Sequence, residues 1–228
     1  RDRHPPSSPG SVSSAPGRSA RRVPLLSGLP PEVAALSGVA FCVALGFGIL
    51  APALPVFART FEVSNLQASA VVSAFALVRF VTAPVAGGLV DRLGERSTMA
   101  TGLLIVAVSS AAAGLSQDYI QLVVLRGLGG FGSAMFTVSA MALLLRVVDS
   151  DQRGRAAGAY QGGFLLGGVA GPAVGGAVVA WSVRAPFFVY AGTLVLATAV
   201  ALVFLARTRL REREHAVADG DENRREQL

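Results

Sequence analysis

The sequence predicts an all-α integral membrane protein built from six transmembrane helices, on three observations. The first is composition: 52% of the 228 residues are hydrophobic and 15% are charged, with a mean hydropathy of +0.56. Soluble domains carry about 25% charged residues. The second is that the apolar residues gather into six stretches, each near the roughly 20 residues that a helix needs to cross a hydrocarbon core. The third is that all 20 basic residues are Arg and most lie on one side of those stretches. One cysteine, Cys42, and two histidines, His4 and His215, exclude a disulfide framework, Cys-based zinc sites and most His-dependent catalysis. No cofactor and no metal are expected.

Taken in chain order, residues 1–32 are rich in Ser, Pro, Gly and Arg and predict a disordered cytoplasmic tail. The pair Arg21–Arg22 ahead of an apolar run has the form of a twin-Arg export signal. Pro24, Pro30, Pro31 and the length of the following stretch favour instead a basic flank to a true span. The six spans cover about Val33–Val56, Leu66–Val90, Thr98–Leu115, Tyr119–Leu145, Ala156–Ala180 and Pro186–Ala206, a bundle over 33–206. In lipid each backbone N–H and C=O must be satisfied within its own segment, so these are helices. The short gaps make neighbours antiparallel. No Asp falls within a span, and Glu32 lies just outside the first. Residues 207–228 alternate Arg with Glu and then turn acidic, a solvated tail or the start of a central loop.

Orientation follows from arginine. With six spans both termini share a side, and that side holds sixteen of the arginines; the other holds Arg59 and Arg184. The basic bias of short loops places both termini in the cytoplasm, in a plasma (inner) membrane. Tyr119 and Trp181 fall at the outer boundary, where amphipathic rings sit. A net charge of +6 sorted in this way is a topology signal, so the partner is the lipid bilayer and no nucleic acid is expected.

Two arginines lie inside spans, where a cation costs about 2.5–3.5 kcal/mol on insertion scales. Arg79 shares a helical face with Ser69, Ser73, Ala76, Ala83 and Gly87, and Arg126 with Gly130, Ser133 and Thr137. Each either ties down backbone carbonyls by snorkelling or handles a substrate or coupling ion. In the fifth span Ala159, Gly163, Gly167, Gly171 and Gly175 recur every four residues, a ridge for close helix packing. Pro172 beside Gly171 suggests a hinge. In the first span Pro52 and Pro55, after Leu45 and Gly46, break helical bonding near the outer end. Gly87, Asp91, Arg92, Gly94 and Arg96 read as a tight cytoplasmic turn, with Asp91 accepting from helix N-terminal donors and the arginines holding the cytoplasmic face.

Together these motifs resemble the major facilitator superfamily, specifically the N-terminal six-helix half of a drug-efflux or proton-antiporter transporter, from Leu36 to Arg207. The turn resembles the family's gating motif between helices two and three, with Glu95 where a second basic residue is usual. Leu122, Arg126, Gly130 and Gly132 resemble the fourth-helix motif associated with proton coupling, with Gly129 in place of a polar residue. Gly167, Gly171, Pro172, Gly175 and Gly176 match the fifth-helix antiporter motif, and Leu45, Gly46, Pro52 and Pro55 the first-helix motif of efflux members. The resemblance implies two six-helix halves rocking about a central site, each made of two inverted three-helix repeats. No sequence echo between spans one to three and four to six is evident, so that repeat rests on the resemblance. It also implies a small-molecule substrate, protons, and a C-terminal six-helix half missing from this sequence, which is therefore expected to be a half or a fragment. The titrating carboxylate would come from that half or from an edge position such as Asp91. Arg126 stays charged and would bias a partner's pKa or hold an anionic substrate.

Two other classes compete with this reading. A membrane-embedded hydrolase or transferase needs a Ser–His dyad or clustered acids at the membrane face. No span holds a His, and Asp91 stands without a second Asp on its turn, so the sequence is not expected to be an enzyme. A non-transporting six-helix subunit or regulator fits the length and remains the alternative.

Overall fold

The computed structural model describes residues 28–203. The two predicted tails, apart from 28–32, and the last residues of the sixth span lie outside the described residues. The described helices are α1 (Pro31–Leu50), α2 (Ala53–Arg59), α3 (Asn65–Leu93), α4 (Glu95–Gly114), α5 (Tyr119–Arg146), α6 (Arg153–Trp181) and α7, described over Ala185–Val203. Because α1 and α2 form one span of 29 residues, six helical spans among the described residues are long and apolar enough to cross a membrane. Described boundaries fall within three residues of those read from hydropathy.

Local sequence explains where each helix starts and stops. Pro30 precedes α1 and Pro31 opens it, where a missing N–H costs nothing and φ is already helical. Glu32 in the same turn complements the helix dipole. Pro52 lacks the donor that would continue α1, yet Ala51 and Pro52 both stay in right-handed helical geometry, so α2 carries the span onward. Ser64 and Gln67 form a reciprocal capping box on α3, and Asp118 accepts from the Gln121 N–H at 2.8 Å to start α5.

The turn between the second and third spans is shorter than its sequence suggests. Gly87, Gly88, Asp91 and Arg92 all belong to α3, and Gly94 alone reverses the chain, at φ 81° and ψ 157°. Asp91 is exposed on the last turn of α3, and the start of α4 carries no side-chain cap, so the expected capping by Asp91 is corrected. A glycine at Gly94 suffices because that conformation is closed to side chains with a Cβ. At the same end Arg146 bonds Glu95 at 3.1 Å, tying α5 to α4.

Lipid offers no hydrophobic drive between helices, so spans associate where small residues let backbones meet. A Cβ on Gly175 would lie 2.7 Å from the Ile49 carbonyl, and one on Gly163 2.6 Å from that of Ser37; the Cβ of Gly167 would meet the Phe41 carbonyl. The ridge of α6 is therefore pressed along α1. Gly102 and Gly132 approach each other reciprocally across α4 and α5, each Cβ falling 2.6 Å from the other's carbonyl. A Cβ on Gly130 would strike the Phe75 carbonyl, which seats α5 on α3. Gly46 and Gly114 receive Tyr190 and Phe187, respectively, from α7.

The pairings α1–α6 and α3–α5 interchange when spans one and four, and spans two and five, are exchanged. The sequence carries the same relation, contrary to the expectation that no echo exists. Helices α3 and α6 run antiparallel, each has 29 residues, and each places a proline at its twentieth residue, Pro84 and Pro172. Each then places a Gly-Gly pair three residues later, Gly87–Gly88 and Gly175–Gly176. These are also the least covered spans: 17% of the apolar window is buried in each, against 56–61% in the first, third and fourth.

Candidate functional site

Most polar side chains within the spans are satisfied by their own helix. Ser37 donates to the Val33 carbonyl at 2.7 Å, Thr82 to Val78 at 2.6 Å and Thr198 to Leu194 at 2.8 Å. Such back-bonding spends the one hydroxyl proton within its own helix and leaves only the oxygen lone pairs for a neighbouring span. Thr98 instead donates from α4 to the Leu89 carbonyl on α3 at 3.3 Å, and two arginines inside the spans likewise reach a neighbouring span.

Arg79 is the fifteenth residue of α3, near its middle. Its Nη2 donates to Thr137 Oγ1 on α5 at 3.1 Å, and the Thr137 hydroxyl donates in turn to the Ser133 carbonyl at 2.9 Å. Thr137, placed by spacing on the face of Arg126, therefore serves Arg79. Ser69 and Ser73, expected on the Arg79 face, are exposed, and Ser69 bonds its own helix at the Asn65 carbonyl. The guanidinium stands on the wall of an open recess of about 400 Å³, lined also by Phe47, Phe75, Phe80 and Thr137.

Arg126 lies about 10 Å along α5 from its first residue, at 1.5 Å per residue, and is 0% exposed. Its Nη1 donates to Ser110 Oγ on α4 at 3.3 Å. Its Cζ sits 4.5 Å from the centroid of the Phe75 ring, a cation–π contact strengthened by desolvation. Nε and Nη2 are buried and make no hydrogen bond with the described residues. Gly129 makes the pocket possible, since a Cβ there would fall 2.7 Å from Ser109 Oγ and 3.5 Å from the Phe75 ring.

Phe75 therefore touches Arg126 and also lines the recess that holds Arg79. Phe47 stacks on it at 5.9 Å and meets Tyr190 edge-on at 6.3 Å. The sequence alone does not mark Phe75, Phe47 or Ser110 as site residues. An aromatic in a span reads as a lipid-facing side chain, and Ser110 reads as one more small residue. The available signal was that Phe75 lies one helical turn before Arg79, and that Ser109–Ser110 is a polar pair in an apolar run.

The remaining candidates fall elsewhere. Pro52 is exposed and Pro55 half-buried at the end of the first span, near an aromatic cluster in which Phe57 meets Phe187 at 5.0 Å and Arg184 lies 5.4 Å from the Phe57 ring. Gly87, Asp91, Arg92, Gly94 and Arg96 sit at the opposite end of the bundle, away from Arg79 and Arg126. Gly167, Gly171 and Gly175 pack on α1, whereas Gly176 faces open space and does not belong to the ridge. Helix α6 is continuous through Pro172, whose Cδ would lie 3.1 Å from a Cβ on Gly48.

The sequence model of the Major Facilitator Superfamily matches residues 36–226. Multidrug resistance protein 2 of Bacillus subtilis is 31% identical over 170 residues, which is 75% of this chain and 42% of that protein. Quinolone resistance protein NorA of Staphylococcus aureus is 28% identical over 166 residues, 72% of this chain and 42% of that protein. The chain thus spans less than half the length of these curated relatives.

Proposed function

Because the chain belongs to the major facilitator superfamily, an integral membrane transporter family, we propose that it forms the N-terminal six-helix half of an efflux transporter that exchanges small organic molecules for protons. The observation that carries this reading is a pair of cationic stations inside the bundle, one buried and one half-buried. Arg126 is sealed behind Phe75, and Arg79 stands on the open side of the same ring. A charge held in a low-dielectric interior with donors to spare favours a reaction partner that changes charge during the cycle. The fully charged guanidinium of Arg126 would set the proton affinity of a carboxylate or hold an anionic solute. It would not titrate itself.

The other motifs fit supporting roles. The ridge of α6 on α1 provides close backbone contact along which the two helices can shift as a pair. The end carrying Arg92, Arg96, Arg146, Arg153 and Arg155 is the cytoplasmic one by the basic-loop rule, with Arg59 and Arg184 outside, in a plasma membrane. The exposed apolar faces of α3 and α6, together with the length of the relatives, support a second six-helix half seated against them.

The experiment is Arg126→Ala in the full-length protein, with surface expression measured alongside. Solute efflux and the accompanying proton flux should both be lost while the protein level is unchanged. Efflux and proton exchange that survive the substitution defeat the coupling role of Arg126.

A further inference from the structure

The recess between α1, α3 and α5 has a chemistry that selects among small organic solutes. Its volume of about 400 Å³ falls in the range of small-molecule sites. Phe47, Phe75 and Phe80 supply aromatic walls, and Arg79 is the one charged residue among its described lining residues. Thr137 fixes one edge of that guanidinium by accepting from Nη2. This is the sole hydrogen bond of Arg79 among the described residues, so the rest of the donor fork is available to a ligand. Arg126 adds a second positive charge behind the Phe75 ring. Every described Asp and Glu lies at a helix end or in a connecting turn, and none lines the recess. The charge that the described residues bring to this recess is therefore positive.

Resting on the transporter reading above, we infer that this half selects flat aromatic solutes bearing a carboxylate or comparable anionic group, and disfavours aromatic cations of the same size. The ring stacks against Phe47 and Phe75, and the anion takes the free edge of the Arg79 guanidinium in the planar geometry that Arg offers and Lys does not. An aromatic cation gains the same stacking but meets two like charges with no described carboxylate to offset them.

The test uses three probes of one shape: 2-naphthoate, 2-naphthamide and (2-naphthylmethyl)trimethylammonium. Gradient-driven flux of each is measured in membrane vesicles carrying the full-length protein. The wild type should carry the carboxylate with a kcat/KM about tenfold above that for the quaternary ammonium. Arg79→Gln should lower the ratio of carboxylate flux to carboxamide flux about tenfold. Arg79→Lys should fall between the two. Surface expression and the far-ultraviolet circular dichroism of the purified variant, both matching the wild type, show that Arg79→Gln folds. Equal flux of anion and cation, or an equal loss of all three probes in Arg79→Gln, overturns the inference alone. So does transport of another solute with none of these three. Absence of gradient-driven flux of any solute overturns the transporter reading and the inference with it.

Discussion

The contact between α1 and α6 makes a quantitative prediction at Gly171. A Cβ at this position would lie 2.6 Å from Gly48 Cα, 2.7 Å from Gly48 C and 2.7 Å from the Leu45 carbonyl oxygen. Carbon atoms in favourable contact stand about 3.5–4.0 Å apart, so Gly171→Ala requires the helices to separate by about 1 Å at the crossing. All three obstacles are backbone, and no rotamer change relieves them. Overpacking of this kind costs about 1–3 kcal/mol. Gly176→Ala is the matched control, because it lies in the same helix five residues on with nothing within 4 Å of its Cβ. Both substitutions gain about 1 kcal/mol of helix propensity, so the difference between them isolates the packing penalty. The assay is titration of the purified protein in mixed detergent micelles with a denaturing surfactant, followed by far-ultraviolet circular dichroism. Trp181 is a poor probe for this purpose because it is 87% exposed in the folded state. Gly171→Ala should be less stable than Gly176→Ala by about 1–3 kcal/mol. Coincident midpoints for the two variants would refute the claim that the ridge is held in backbone contact with α1.

Three further predictions concern the turn, the buried site and the orientation. Gly94→Ala should cost about 1–3 kcal/mol in the same titration, because φ 81° with ψ 157° admits essentially glycine alone, while Gly88→Ala, in open space inside α3, should cost nothing. Ser110→Ala removes the one hydrogen bond that Arg126 makes with another side chain among the described residues and should lower efflux and the unfolding midpoint together, by about 1.5–3 kcal/mol of stability. Ser139→Ala, whose hydroxyl bonds only carbonyls of its own helix, should leave efflux intact, and equal effects of the two would remove Ser110 from the site. In a Cys42→Ser background, a membrane-impermeant maleimide should label Ser182→Cys in intact cells and Ser150→Cys only after permeabilisation; the reverse pattern would invert the proposed topology.

The spans were legible because a run of apolar residues long enough to cross lipid has few other uses. The ridge on α6 was legible for a related reason, since glycine every four residues on a helix serves one face. Its counterpart was not, because nothing in that spacing says that α1 covers it, or that Gly176 turns away. The buried site was half legible. Arg79 and Arg126 stand out as cations in apolar runs, but helical spacing assigned Thr137 to Arg126, whereas α3 packs across α5 in a way that delivers it to Arg79. Phe75 was invisible for the same reason: its role depends on which two arginines flank it, and that is set by Gly129 and Gly130 on another helix. The turn at Gly94 was read too wide because glycines at Gly87 and Gly88 look like turn residues until α3 is seen to run through them.

The inverted relation between α3 and α6 explains why one of these helices carries chemistry and the other carries packing. Their fifteenth residues are Arg79 and Gly167, and their eleventh are Phe75 and Gly163. In α6 both positions are glycine, and α1 closes directly onto them at the Ser37 and Phe41 carbonyls. In α3 both are large, yet α5 approaches just as closely, because the glycine has moved to the partner helix: a Cβ on Gly130 would strike the Phe75 carbonyl and lie 3.1 Å from the Arg79 backbone nitrogen. Close backbone contact is kept on both sides of the pseudo-symmetry with the small residue placed on opposite partners. That exchange leaves α3 free to bear long side chains beside the seam without opening it. A Phe and an Arg one helical turn apart then project along a tightly held interface, one ring against the sealed cation and one cation into the recess. Enlarging Gly130 should therefore disturb Arg79 and Phe75 together, whereas enlarging Gly167 should disturb only the α1–α6 contact.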